Sequence, residues 1–249
     1  MSIDRIHEKV LELVLAAPDV KSWRTYLDIG AGRGSLITRI KEALPLETSA
    51  CDYTDELMRL PGQKVDIANL NEAPLPYPDA SFDIVTATEV IEHLEHFRRV
   101  VREILRVLKP GGICILSTPN ILNLNSRLRF LGFGFWNLFG PLPVKHSALY
   151  STGGHINPVS WFYIAHAMLD AGFKDVTPHI DKVQRSALPK LVLLYPFIWL
   201  YSLLAKHKER TRFKTLDEAN APLVNAMNTV DMLLGRTVIV KGLKGRPGN

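Results

Sequence analysis

The sequence predicts an α/β protein built on a mainly parallel sheet. Three observations carry this: short apolar runs alternate with helical stretches from Thr25 onward, a glycine-rich turn closes the first run, and one more apolar run stands near the C-terminus. With 249 residues the chain suits one domain carrying an insertion, and 47% hydrophobic against 22% charged residues excludes a disordered chain.

The elements follow in order. Ile3, Ile6, Val10, Leu11, Leu13 and Val14 recur at roughly helical spacing and Pro18 ends the pattern, so an amphipathic helix opens the chain and covers the outside of the sheet. Strands are expected over 26–29, 48–52, 64–67, 82–86 and 112–117, with helices over 35–44, 54–60 and 92–108 between them. Asn157-Pro158 is expected to start another helix, as an N-cap followed by proline at the first helical position, and Gly172 stops it. Residues 173–180 and 236–241 are then expected strands.

Charge and cysteine usage narrow the classes. The net charge of +5 is modest and its bases concentrate at Arg98–Lys109 and Lys206–Lys214, which permits nucleic acid without demanding it. Cys51 and Cys114 each sit inside a β-like run and are expected to be buried thiols in a reducing, cytoplasmic setting; residues 1–17 lack the unbroken apolar core of a signal peptide.

The sharpest motif is Leu27-Asp28-Ile29-Gly30-Ala31-Gly32-Arg33-Gly34-Ser35, a strand end, a glycine turn and a helix start. Glycines at 30, 32 and 34 admit positive φ and let a ligand approach the backbone. The spacing is GxGxG and not the GxGxxG of dinucleotide sites, and Asp28 would repel a pyrophosphate while suiting the ammonium of a methionine moiety. S-adenosylmethionine (SAM) is therefore the expected ligand. Asp52 ends the second strand, where an acid can accept both ribose hydroxyls, and Asp66 ends the third, where a carboxylate can accept from an adenine amino group.

With Phe82-Asp83-Ile84-Val85, Leu108-Lys109-Pro110-Gly111-Gly112 and Ser117-Thr118-Pro119-Asn120 added to the glycine motif, most of residues 22–182 resembles the class I SAM-dependent methyltransferases. The resemblance implies a Rossmann-like seven-stranded sheet of order 3-2-1-4-5-7-6, with an antiparallel last strand at 236–241. It also implies that Thr88 to Val90, including Glu89, face SAM.

Glu89, Glu92 and His93 stand at i, i+3 and i+4 after the fourth strand, so a helix would bring them to one face, and His155 in Gly153-Gly154-His155 offers a fourth ligand. This pattern resembles the ubiquinone-pathway O-methyltransferases and the small-RNA 3′-end methyltransferases. That resemblance implies that Glu89, Glu92, His93 and His155 hold Mg²⁺ or a similar divalent cation that activates an acceptor hydroxyl. Otherwise His93 or His155 is the general base.

The expected organisation is a SAM-binding core over 1–182 with an acceptor-side lid at 121–152, an apolar and basic helical insertion at 183–235, and a final strand and tail at 236–249. The lid is aromatic, with Phe130, Phe133, Phe135, Trp136 and Phe139. The apolar run 191–205 reaches only about 22 Å as a helix against a hydrocarbon core of roughly 30 Å, and Pro196 should kink it. Followed by Lys206, Lys208, Arg210, Arg212 and Lys214, it reads as an in-plane anchor in which 190–214 touches anionic lipid, or as a buried insertion helix or dimer face. The expectation is O-methylation of a small-molecule, lipid-linked or glycan acceptor at the inner face of the cell membrane. RNA 3′-end methylation and a non-catalytic scaffold of the same fold are the alternatives.

Overall fold

A computed structural model describes residues 2–142 and 154–246. The expected strands appear as β1 (Thr25–Ile29), β2 (Glu47–Asp52), β3 (Val65–Ile67), β4 (Phe82–Thr88), β5 (Leu108–Pro119), β6 (Phe173–Ile180) and β7 (Thr237–Lys244). They join in one sheet of order β3-β2-β1-β4-β5-β7-β6, with β7 antiparallel to both β5 and β6 and the other pairings parallel. This is the Rossmann-like class I methyltransferase sheet.

Period-two alternation sorts the strand side chains into two cores. Leu27, Ile29, Val85, Ala87, Cys114 and Leu116 face one side, under α3 (Phe97–Val107) and α5 (Trp161–Ala171). Tyr26, Ile84, Ile113 and Ile115 face the other, under α1 (Ser2–Leu15) and α2 (Ser35–Ala43). Cys51 and Cys114 are buried free thiols.

Three local expectations are corrected. No helix forms over 54–60; the chain turns there instead, so that Met58 and Leu60 cover Gly34. Helix α3 begins at Phe97 and not at Glu92, because the Glu92 carbonyl accepts from the backbone N–H groups of Ile156 and Asn157 at 2.9 and 3.0 Å instead of continuing a helix. Helix α5 begins at Trp161 behind Ser160, since the Asn157 side chain donates to the Leu94 carbonyl (2.9 Å) and caps nothing.

After β5, α4 (Leu124–Phe133) starts on a true cap, the Asn123 carboxamide accepting from Ser126 N–H at 2.8 Å. Residues 143–153, the end of the expected lid, lie outside the described residues. Between β6 and β7 run α6 (Leu188–Lys208), α7 (Ala221–Ala226) and α8 (Val230–Leu234). Helix α6 is longer than expected: 21 residues, about 31 Å, continuous through Pro196. Leu191, Leu194 and Ile198 pack it onto Leu124, Ala187, Leu233 and Leu234, yet none of its own residues is buried. Among the described residues it is the one helix long and apolar enough to cross a membrane.

Candidate active site

β1 lies between β2 and β4, so the crevice at their carboxyl ends is the switch point where open α/β sheets bind ligands. The glycine turn borders it. Gly30, Gly32 and Gly34 all have positive φ, and at Gly30 a Cβ would stand 2.3 Å from Val90 Cγ2, so the β1 and β4 loops meet only because that side chain is missing. Gly30 N–H donates to the Cys51 carbonyl at 2.8 Å, and Gly32 N–H to Asp52 Oδ2 at 2.8 Å. Asp52 Oδ1 accepts from Tyr53 N–H at 2.7 Å. A carboxylate has about four lone-pair sites; two are spent on backbone, and the others remain for ligand hydroxyls.

Gly30, Gly32, Asp52, Glu89 and His93 line the resulting cavity of about 790 Å³, together with Leu57, Ala68, Asn69, Leu70 and Asn71. The other expected ligands stand apart. Gly34 caps α2 beneath Met58, and Thr88 is buried in β4 opposite Ser117. Asp28 falls on the Tyr26 face of β1, where Thr86 Oγ1 donates to it at 2.6 Å; burial pushes its carboxyl up to about 7. Asp66 is exposed and accepts from the Tyr77 hydroxyl at 2.7 Å.

The segment after β3 supplies Asn69 and Asn71 in place of Asp66, which sequence reasoning missed although two amides there were a visible signal. Arginines from α3 hold this segment. Arg99 donates to the Leu70 carbonyl at 2.7 Å, and Arg106 binds Glu103, Asp79 and the Leu75 and Tyr77 carbonyls.

At the far end of the cavity stand the acids and histidines. Glu89 adopts a left-handed φ of 55°, rare without glycine. It turns to Ser117, whose hydroxyl donates to Glu89 Oε1 at 3.0 Å, and burial raises its carboxyl to about 7 with Asp181 adding to the rise and Arg236 opposing it. The i, i+3, i+4 face therefore does not form. Only a single 3-10 turn spans Ile91–His93, and ligand atoms of Glu92, His93 and His155 come within 4.8 Å of one another without Glu89.

Those three fit a cation. Glu92 is fully buried; Thr118 donates to Oε2 at 3.1 Å while Oε1 has no partner, and burial drives its carboxyl well above the usual range. His93 donates Nδ1–H to the Gly154 carbonyl at 3.0 Å, which leaves Nε2 with its lone pair. His155 Nδ1 is buried and unpartnered, and its ring meets that of His93 edge-on at 4.8 Å. Burial lowers both imidazoles, so both are held neutral, the form that binds metals and accepts protons.

Residues 27–116 match a family model described as a methyltransferase domain. Residues 27–116 are a methyltransferase domain by this match, set in a sheet of the class I order. It is 40% identical over 101 residues to a probable SAM-dependent methyltransferase of Mycolicibacterium smegmatis, covering 39% of this chain and 38% of that relative's length. It is 28% identical over 189 residues to the demethylmenaquinone methyltransferase of Listeria welshimeri, covering 69% of this chain and 79% of the relative. The same fold, at a TM-score of 0.60 and 15% identity over 96% of this chain and 93% of the other, occurs in a SAM-dependent methyltransferase from Archaeoglobus fulgidus. The domain's cofactor is SAM, and the positive-φ glycines and the half-spent Asp52 carboxylate fit it.

Proposed function

We propose that the protein is a SAM-dependent methyltransferase that O-methylates a hydroxyl of an apolar, lipid-linked or glycan small molecule at the inner face of the cell membrane. The observation that carries this reading is the single cavity that joins the glycine loop and Asp52 to the His93 end of the Glu92–His93–His155 group. Asp52 takes the ribose hydroxyls, and Asn69 to Asn71 frame the adenine. SAM supplies the methyl group as an electrophile on a cationic sulfur.

His93, with its Nδ1–H committed to Gly154, presents Nε2 as the atom that receives the acceptor's hydroxyl proton or holds a divalent ion. Glu92 Oε1 and the His155 ring complete that grip. A divalent cation there would lower the hydroxyl's pKa. The Listeria relative's name supports a quinone-type, apolar acceptor. The bare face of α6, followed by Lys206, Lys208, Arg210, Arg212 and Lys214, supports docking on anionic lipid.

The test is transfer from labelled SAM into separated lipid, quinone, glycan and RNA fractions, with Mg²⁺ or Mn²⁺ and with chelator. Label in the first three supports the reading, and label confined to RNA or protein overturns it. Glu92→Gln and His155→Ala should each lower kcat by about 10²–10⁴ while leaving SAM affinity unchanged in calorimetry.

A further inference from the structure

A second cavity, of about 720 Å³, opens where the end of β5, α4 and Arg236 meet. It adjoins the reacting end of the first: Arg236 acts on Glu89, which lines the donor cavity, and the Leu138 carbonyl of this second wall faces His155. Three of its side-chain amides, Asn120, Asn123 and Gln184, are committed to the groups around them. Asn120 donates to the Met232 and Gly235 carbonyls at 2.8 and 2.9 Å, Asn123 caps α4, and Gln184 accepts from Asn125 and donates to Gly235.

The two guanidiniums of this cavity are differently placed. Arg129 spends a donor on the Trp136 carbonyl and lies 5.4 Å over the Phe133 ring, which fixes its plane and leaves further N–H groups. Among the described residues the Arg236 guanidinium makes no hydrogen bond, and its charge is felt by the Glu89 carboxyl. Glu89 and Asp181 offset part of the charge near Arg236, and Arg129 brings the surplus. Half-buried guanidinium donors with no partner cost desolvation energy, and two planar forks facing one hollow match an anion with several oxygens better than a neutral group.

We propose that this cavity binds a phosphate group of the acceptor, with Arg236 and Arg129 as its ligands, so that the methylated hydroxyl belongs to a phosphorylated molecule. The inference rests on the proposed reading of the adjoining cavity as the place of methyl transfer. The phosphate can belong to a soluble metabolite or to a lipid headgroup.

The full chain, its Arg129→Gln and Arg236→Gln variants and the double variant are titrated calorimetrically with inorganic pyrophosphate, and separately with SAM. Pyrophosphate should bind the native protein and weaken about tenfold or more in each single variant, while SAM affinity stays unchanged. Arg129→Gln lies apart from the Glu89 pair and keeps the test open if Arg236→Gln fails to fold. Sedimentation with phosphatidylcholine vesicles, with and without phosphatidic acid, separates the two sources. Loss of phosphatidic-acid dependence in the double variant assigns the site to a lipid headgroup, and an unchanged dependence with lost pyrophosphate binding assigns it to a soluble phosphate. Equal pyrophosphate binding by native and double-variant protein, or none by either, overturns the proposal. Failure of SAM to bind the native protein would instead defeat the methyltransferase reading and leave the phosphate result standing on its own.

Discussion

Gly30 shows how much rests on one missing side chain. Its φ is positive and a Cβ would enter Val90, so Gly30→Ala forces the β1 and β4 loops apart at the cavity wall. SAM affinity should fall by about tenfold or more, at a strain cost on the order of 1–3 kcal/mol, measured by calorimetry; an unchanged affinity would show that the loops do not depend on this contact. Asp28 makes a separate, pH-dependent prediction. Its folded carboxyl is raised to about 7 from 3.8, so the folded state binds the proton more tightly than the unfolded chain. Its contribution to stability is full below the unfolded value and is lost as pH rises through about 7. Asp28→Asn keeps an oxygen for Thr86 and removes the titration. Between about pH 5 and about pH 8 the native protein should lose several degrees of melting temperature relative to this variant, at about 2–4 °C per kcal/mol. Parallel melting curves across that range would refute the assignment. The residue scale is also where sequence reading failed most plainly. Asp66 and Asn69 stand three positions apart beside one strand, and only the turn after β3 decides which of them meets the cavity.

At the scale of elements, α6 leaves a broad apolar face bare. Leu191, Leu194 and Ile198 attach it to the domain, while Val192, Leu193, Phe197 and Leu204 remain more than three-fifths exposed. Its length no longer argues against a membrane crossing; the sheet does. β6 precedes α6, β7 follows it, and the two strands pair with each other, so one crossing would divide a hydrogen-bonded pair between two sides of a bilayer. The membrane docking proposed above is therefore in-plane. Phe197→Ser with Leu204→Ser should cut sedimentation with phosphatidylglycerol vesicles by about tenfold and leave SAM binding intact, and high salt should weaken the native interaction through the Lys206–Lys214 bases. A native chain that ignores the vesicles and sediments instead as a dimer would assign the bare face to a second copy. The apolar run behind α6 was legible from composition. Its true span was not, because Pro196 reads as a kink in the sequence, while the helix in fact starts around Pro189 in its first turn and stays continuous through Pro196, packed against α8.

For the whole molecule, β7 is the last of the seven strands in sequence yet an interior one: it joins β5 to the edge strand β6 with seven and six paired positions. Truncation before Thr237 removes Val238, Ile239 and Val240, all buried, leaves β5 and β6 without the strand that joins them, and should abolish cooperative unfolding in calorimetry; a truncated chain that still melts cooperatively would show that the remaining strands fold without β7. The glycine turn, the two-faced strand runs and the apolar insertion were determined by the sequence itself, since steric freedom at glycine and side-chain period act within a few residues. The strand order came from family resemblance and the structure bears it out. Tertiary structure alone decided that Asp28 faces Thr86, that Glu89 leaves the histidines for Ser117, and that Glu92 and His93 meet His155 from about sixty residues away. The physical reason is that a side chain's direction follows from its backbone angles and from whichever distant segment fills the space beside it, and neither is written in the spacing of its neighbours.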